Sequence, residues 1–244
     1  MKTLVIIPSR LSATRLPNKP LLKINGLSII SHVFKNAKEA DIGEVFVAAE
    51  DQEIVDDVVN NGGRAILTSK IHKTGTDRVY EALKKIGKSN TELIMNLQGD
   101  EPLMNTKDIK NLRDQMVKTK SKIGTLASKI NDKSLYNLEN VVKVTTKESL
   151  EISEFPEAEN FMRKSINLSE NIYHHLGIYC YQVDALKNFV NLKQSQNEIK
   201  NNLEQLRALD NHMKINVALA NSPSIGVDTQ EDFVAIKKIM EYKS

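Results

Sequence analysis

Short apolar runs alternate along this chain with stretches in which apolar positions recur every three or four residues, a rhythm of strand followed by helix. Residues 4–7 predict a buried first strand. Residues 28–40 predict a helix with Ile29, Ile30, Val33, Phe34 and Ala37 on one face. The alternation continues with a strand at 45–48, a helix at 52–60 carrying Ile54, Val55, Val58 and Val59, and a Gly62-Gly63 turn into a strand at 65–67. A helix at 76–86 and a strongly apolar strand at 93–97 follow. Further on, strands are expected at 141–144, 176–181 and 215–218, and helices at 203–209 and after Asp228. Thr229-Gln230-Glu231-Asp232 reads as a capping box for that last helix. Between 128 and 171 the periodicity weakens and polar residues dominate, which predicts an excursion from the core sheet. The class is α/β with a mostly parallel sheet, expected as a single domain over 1–244.

Composition narrows the function classes. At 244 residues, 40% of them hydrophobic and 27% charged, the chain can bury a core and is not of disordered composition. The 34 basic and 31 acidic residues are interspersed, so no basic stripe points to nucleic acid. Cys180 is the single cysteine, which excludes an intramolecular disulfide and a multi-thiolate zinc site and leads us to expect a cytoplasmic address. The run 4–7 meets Pro8 and Arg10 and is too short for a signal peptide or a membrane span, so no membrane partner is expected.

Candidate chemistry gathers where strands end. The loop from Pro8 to Pro20 holds three cations, Arg10, Arg15 and Lys19, and three hydroxyls, Ser9, Ser12 and Thr14, directly after the first strand. Phosphate oxygens take that mixture of forked guanidinium, point charge and hydroxyl donors. A solvated polar loop is the plain alternative, and position after the first strand favours the site. No G-x-G-x-x-G occurs, and Gly87-Lys88-Ser89 lacks the earlier glycine of a P-loop, having Ala82 in its place. Asp100, in Gln98-Gly99-Asp100-Glu101-Pro102, follows a strand end, where ligands bind in open α/β sheets. Together with Asp228 it can hold Mg²⁺ against substrate phosphates, with helix capping as the alternative for Asp228. Strand alternation places His175, Gly177, Tyr179 and Tyr181 on one face, either a cleft wall or a half-exposed polar face. Glu204 and Arg207 read as an exposed i, i+3 ion pair.

Six segments in this order resemble the 3-deoxy-manno-octulosonate (Kdo) cytidylyltransferase family: Pro8-Ser9-Arg10 through Arg15-Leu16-Pro17-Asn18-Lys19-Pro20, Thr74-Gly75-Thr76-Asp77-Arg78, Asn96-Leu97-Gln98-Gly99-Asp100-Glu101-Pro102, His175-Leu176-Gly177-Ile178-Tyr179, Leu203-Glu204-Gln205-Leu206-Arg207 and Gly226-Val227-Asp228-Thr229. The resemblance implies a three-layer α/β/α nucleotide-diphospho-sugar transferase fold with an inserted sugar-side and dimerisation region. The implied activity is transfer of CMP from CTP to the anomeric hydroxyl of Kdo for lipopolysaccharide synthesis, by a homodimer using Mg²⁺. Arg10, Lys19 and Asp100 are then the catalytic residues. Pro8, Ser12, Thr14, Arg15, Thr74, Gly75, Thr76 and Arg78 would join Arg10 and Lys19 at the nucleotide. Gln98, Arg163, His175, Tyr179, Glu204 and Gln205 would face the sugar acid, and Asp100 and Asp228 the metal. In two places the chain departs from the family pattern: Met162 stands where a serine is usual, and Ala48-Ala49-Glu50 replaces Ala-Thr-Asp. Two other readings accompany this one: transfer to an amino-modified Kdo or a sialic-type acid, and a non-catalytic sugar-nucleotide binding module.

Overall fold

A computed structural model describes residues 1–12, 15–164, 171–223 and 225–242. In chain order the elements are β1 (Thr3–Ser9), β2 (Lys23–Ile24), β3 (Leu27–Ser28), α1 (Ile29–Glu39), β4 (Gly43–Ala49), α2 (Gln52–Asn60), β5 (Ala65–Leu67), α3 (Gly75–Ile86) and β6 (Leu93–Asn96). They continue with α4 (Thr106–Thr119), β7 (Ile123–Ser128), β8 (Lys143–Thr146), β9 (Ala158–Met162), β10 (Ile172–Gln182), α5 (Val183–Asn191), α6 (Gln196–Asn201), α7 (Leu206–Asp210), β11 (Asn216–Leu219) and α8 (Gln230–Tyr242). Packing divides them into two compact units. The first is Lys2–Ile109 with the C-terminal segment that carries α8, and the second is essentially Lys110–Pro223.

In the first unit β1 pairs with β6 on one side and β4 on the other, and β4 pairs with β5, all parallel. Thr3 to Ile7 are buried without alternation, as a parallel strand covered on both faces must be. The helices earn their places by their apolar stripes. Ile29, Ile30, Val33, Phe34 and Ala37 of α1 are all buried, and Ser28 caps the helix by accepting from the Ser31 amide at 3.2 Å. In α2 only the inner pair, Ile54 and Val58, is buried, whereas Val59 is exposed. Thr74 caps α3, and Gly87 ends it in the left-handed conformation at φ 67°.

The second unit holds β11, β7, β10, β8 and β9 in that order, with only β11 and β7 parallel. The expected excursion at 128–171 is built from β8 and β9, which pair antiparallel. The strand expected at 141–144 runs from Lys143 to Thr146 instead, and the Val141 carbonyl accepts from the Lys143 side chain. The Lys143 side chain is fully buried, and its ammonium donates to the carbonyls of Leu138 (2.7 Å), Val141 (2.8 Å) and Arg163. Three acceptors satisfy all three of its protons, so the charge is tolerated in the interior. Burial, helped by the nearby Arg163 charge, lowers its pKa from the usual lysine value.

The helix expected at 203–209 is corrected to α7, preceded by α6 and separated from it by Asn202 in the left-handed conformation at φ 51°. The exposed Arg207 pair is corrected too. Arg207 is buried, donates to both carboxylate oxygens of Glu198 at 2.8 and 2.6 Å, and lies 4.8 Å over the Phe189 ring. Burial works against the Glu198 charge, but the Arg207 bonds outweigh it and hold the carboxyl below its ordinary range.

Lys143→Met should cost about 3 kcal/mol of stability, since three buried carbonyls lose their donor, and urea denaturation of the two proteins checks this.

Candidate active site

The loop that follows β1 is pinned at its far end. Leu16 and Pro20 are buried, and Asn18 takes the left-handed conformation at φ 54° at the start of the 3-10 turn that carries Lys19. At the near end the Leu11 amide donates to Asp51 at 3.0 Å and the Glu50 amide to the Ser9 carbonyl at 3.1 Å. Lys19 is thereby aimed inward. Its ammonium lies 2.6 Å from Asp100 Oδ2 and 3.2 Å from Asp228 Oδ1, with its side chain only 13% exposed. Arg15 reaches the other Asp228 oxygen at 3.3 Å, from a more exposed position. Burial lowers the Lys19 pKa, but the two carboxylates outweigh it and raise the pKa above the usual lysine value. The ammonium therefore stays charged throughout the neutral range.

Each carboxylate is set by its backbone. Beyond β6, the Leu97 amide bonds the Ile6 carbonyl at 3.2 Å, so the chain tracks β1 to its end. Gly99 then passes close beneath the loop: a Cβ there would lie 2.9 Å from the Pro8 carbonyl oxygen and 3.2 Å from Ile30 Cδ1. Only glycine permits that approach, and Asp100 follows it directly. Asp228 is tied to the same place by the Val227 amide, which donates to the Asp100 carbonyl at 2.9 Å. Asp228 does not cap α8. Thr229 and Asp232 do so reciprocally: the Asp232 amide bonds Thr229 Oγ1 at 3.2 Å, and Asp232 Oδ2 takes the Thr229 amide at 2.9 Å.

A cleft of about 430 Å³ opens here. Pro8, Arg10, Ser12, Arg15, Lys19, Thr74, Gly75, Arg78, Gln98, Asp100 and Asp228 of the sequence-derived set line it. Thr74 and Gly75 bring the N-terminal turn of α3 to the wall, where backbone amides and the helix dipole favour an anion. Thr76 is buried in α3 and does not line the cleft among the described residues. Thr14 lies outside the described residues. Arg78 is buried and occupied as a brace: it donates to Thr68 Oγ1 at 2.6 Å and the Ser69 carbonyl at 3.1 Å, and it pairs with Glu50. The Glu50 that departs from the family pattern thus holds Arg78.

His72, Lys73, Leu16 and Pro20 also line the cleft, although sequence reasoning did not single them out. His72 Nε2 pairs with Glu81 of α3, which also accepts from Lys85 at 2.8 Å and the Ser69 amide at 3.0 Å. Burial opposes the Glu81 charge, but these donors together hold the carboxyl at about 2.

Of the sugar-side candidates, Gln98 lines this cleft, and Arg163, His175, Tyr179, Glu204 and Gln205 belong to the second unit. There β10 is buried on both faces and bulged between Leu176 and Tyr179, which corrects the half-exposed alternative. The rings lie in a row: His175 and Tyr179 are 5.5 Å apart between centroids, and Tyr179 and Tyr181 are 5.7 Å apart. His175 Nε2 lies 3.0 Å from Thr125 Oγ1. Arg163 donates to the carbonyls of Asn201 and Asn202, each at 2.9 Å, and of Glu139 at 3.0 Å. Cys180 is buried, and burial raises its thiol pKa, so it is a core residue and not a nucleophile.

The chain matches a family described as Cytidylyltransferase over residues 4–215. Proteins named 3-deoxy-manno-octulosonate cytidylyltransferase, from Thermodesulfovibrio yellowstonii and Afipia carboxidovorans, are each 40% identical to it, over 98% of this chain and 98% and 96% of theirs. The chain belongs to the 3-deoxy-manno-octulosonate cytidylyltransferase family. A solved structure of CMP:2-keto-3-deoxy-manno-octonic acid synthetase complexed with CTP is 31% identical, with a TM-score of 0.89 and coverage of 100% of both chains. UDP-glucose pyrophosphorylase complexed with UDP-glucose, 14% identical with a TM-score of 0.73, shares the fold. In this cytidylyltransferase, the loop after β1 and the carboxylates at Asp100 and Asp228 share one cleft in the first unit.

Burial, with the His174 charge adding to it, takes His175 down to about 3. The unfolded chain takes up that proton as pH falls through the ordinary histidine value near 6.5, whereas the folded chain resists until about 3. Stability is therefore complete above pH 6.5 and declines below it by up to about 1.4 kcal/mol per pH unit. Urea midpoints measured from pH 7 to 4 should show this decline, and His175→Gln should flatten it.

Proposed function

We propose that this protein transfers CMP from CTP to the anomeric hydroxyl of Kdo, giving CMP-Kdo and pyrophosphate. The convergence of Lys19, Arg15, Asp100 and Asp228 on one cleft carries this reading, in a chain 40% identical to proteins named for that activity. The sugar hydroxyl oxygen forms a bond to the α-phosphorus, and the bond from that phosphorus to the bridging oxygen of the β-phosphate breaks. The hydroxyl proton is lost and pyrophosphate leaves with the electron pair. Such a displacement needs alignment and charge neutralisation more than a covalent nucleophile. Lys19, Arg15 and Arg10 provide the positive charge, and the first turn of α3 offers backbone donors at Thr74 and Gly75.

The carboxylates fit Mg²⁺. Asp100 and Asp228 come within 3.2 Å of one ammonium and can share a cation at that point. Among the described residues no cluster of three or more His, Cys, Asp or Glu side chains surrounds them, so the remaining oxygen ligands would come from nucleotide phosphate and water. When bound there, the ion supplies charge neutralisation and acidifies the attacking hydroxyl. For the sugar acid, Gln98 is the candidate in the first unit, and Arg163, His175, Tyr179, Glu204 and Gln205 are the candidates in the second. Lipopolysaccharide synthesis as the use of the product and a homodimeric assembly follow from the family resemblance, and a cytoplasmic address is supported by the single, buried, free cysteine.

The second reading, transfer to an amino-modified Kdo or a sialic-type acid, rests on Met162 in β9. Pyrophosphate release from CTP, measured against a panel of such acids, is expected to be fastest with Kdo. A faster acid would assign the chain to that sugar. Asp100→Ala should lower turnover about a thousandfold, the scale of losing a main charge-stabilising group, with an unchanged circular dichroism spectrum. Wild-type turnover in that variant would overturn the role given to Asp100.

A further inference from the structure

The position that a divalent cation would take between Asp100 and Asp228 is held by a side chain of the protein itself. Lys19 places its ammonium 2.6 Å from one carboxylate and 3.2 Å from the other, and Arg15 adds a contact of 3.3 Å to Asp228. Two carboxylates thus face two fixed positive charges, and the cluster has no net charge with which to draw a cation from water. The two contributions differ. Arg15 is 62% exposed, so its pairing is screened by solvent and weak. Lys19 is 13% exposed, held by a loop whose Leu16 and Pro20 are buried, and pairs at shorter distance. It is the main occupant.

A triphosphate changes the balance. It brings more negative charge than the two carboxylates and offers the same ammonium new acceptors at the α3 terminus, the Thr74–Gly75 wall of the cleft. We propose that Lys19 is a stand-in cation for the carboxylate pair, which keeps the free protein from binding a divalent ion until nucleotide phosphates draw the ammonium away. Nucleotide and metal then bind with positive coupling. By linkage the coupling is reciprocal, so each raises the affinity of the other by the same factor. This rests on the assignment of Asp100 and Asp228 to the metal given under the proposed function. It goes beyond that assignment in giving Lys19 two successive partners and the site an order of loading.

The test uses the full chain without nucleotide and without turnover. Mn²⁺ is titrated in, and free Mn²⁺ is read by electron paramagnetic resonance. Wild type should bind weakly, and Lys19→Met should bind at least about tenfold more tightly, because an adjacent unit charge has been removed. Lys19→Arg, which keeps the charge, should stay near wild type and shows that the gain does not come from a loosened fold. Adding Asp100→Asn to Lys19→Met should abolish the gain. Equal Mn²⁺ affinity in wild type and Lys19→Met would overturn the stand-in role. A gain that survives Asp100→Asn would also overturn it, since the ion would then be bound elsewhere. Failure of the transfer reading is seen separately, in the pyrophosphate assay with CTP and sugar acid.

Discussion

The first unit depends on an ammonium between two carboxylates that the sequence keeps far apart. Lys19 is separated by 81 residues from Asp100 and by 209 from Asp228, yet all three meet in one polar node. Such a meeting requires a rigid frame, because an unpaired charge in a partly enclosed site costs more than the pair returns. The frame is the parallel sheet. β1 and β6 run side by side, and the chain beyond β6 follows the end of β1 as far as Gly99 under Pro8, so the loop after one and Asp100 after the other emerge at the same edge. Gly99 allows the two backbones to touch, and the Val227 amide on the Asp100 carbonyl brings in Asp228. Each carboxylate is positioned by main chain, leaving its oxygens for a cation.

The same logic, with carbonyls as well as a carboxylate, orders the second unit. Lys143 and Arg163 both spend their protons on backbone carbonyls, and Arg207 spends its protons on Glu198. These cations fasten segments with thin apolar patterns, the excursion around β8 and β9 and the short helices α6 and α7. Arg163 was expected to face a sugar acid. Its guanidinium joins strand β9 to the turn at Asn201–Asn202, just before Glu204 and Gln205 in the chain. Arg163 is therefore tied to the segment that leads into Glu204 and Gln205.

How much of this was legible in the sequence follows from the range of each interaction. Helices α1, α2 and α3 were readable because an amphipathic stripe is a local signal, and Asp100 was readable because a strand end carrying Gly-Asp is one too. The helix α4 escaped notice because its buried stripe, Ile109, Leu112 and Met116, is a single file among polar residues. Strand β7 and helix α5 were likewise passed over. The short helix α6 was passed over too, and the helix expected at 203–209 begins only at Leu206, as α7, after the left-handed Asn202. Charges were read least well. Arg207, read as exposed, is buried against Glu198 nine residues away, and Arg78, which lines the cleft, is also braced by Glu50. A lone charge does not name its partner, so only the fold could supply it. Asp228 was left between capping and metal binding, and the capping role is taken by Thr229 and Asp232.

The central claim is that nucleotide phosphates and a metal meet at the Lys19, Asp100 and Asp228 node. A crystal structure with CTP and Mg²⁺ tests it most directly. The account predicts the phosphates in this cleft, one cation touching both Asp100 and Asp228, and the Lys19 ammonium moved onto a phosphate oxygen. Nucleotide bound elsewhere, with Lys19 still bridging the two carboxylates, would contradict it.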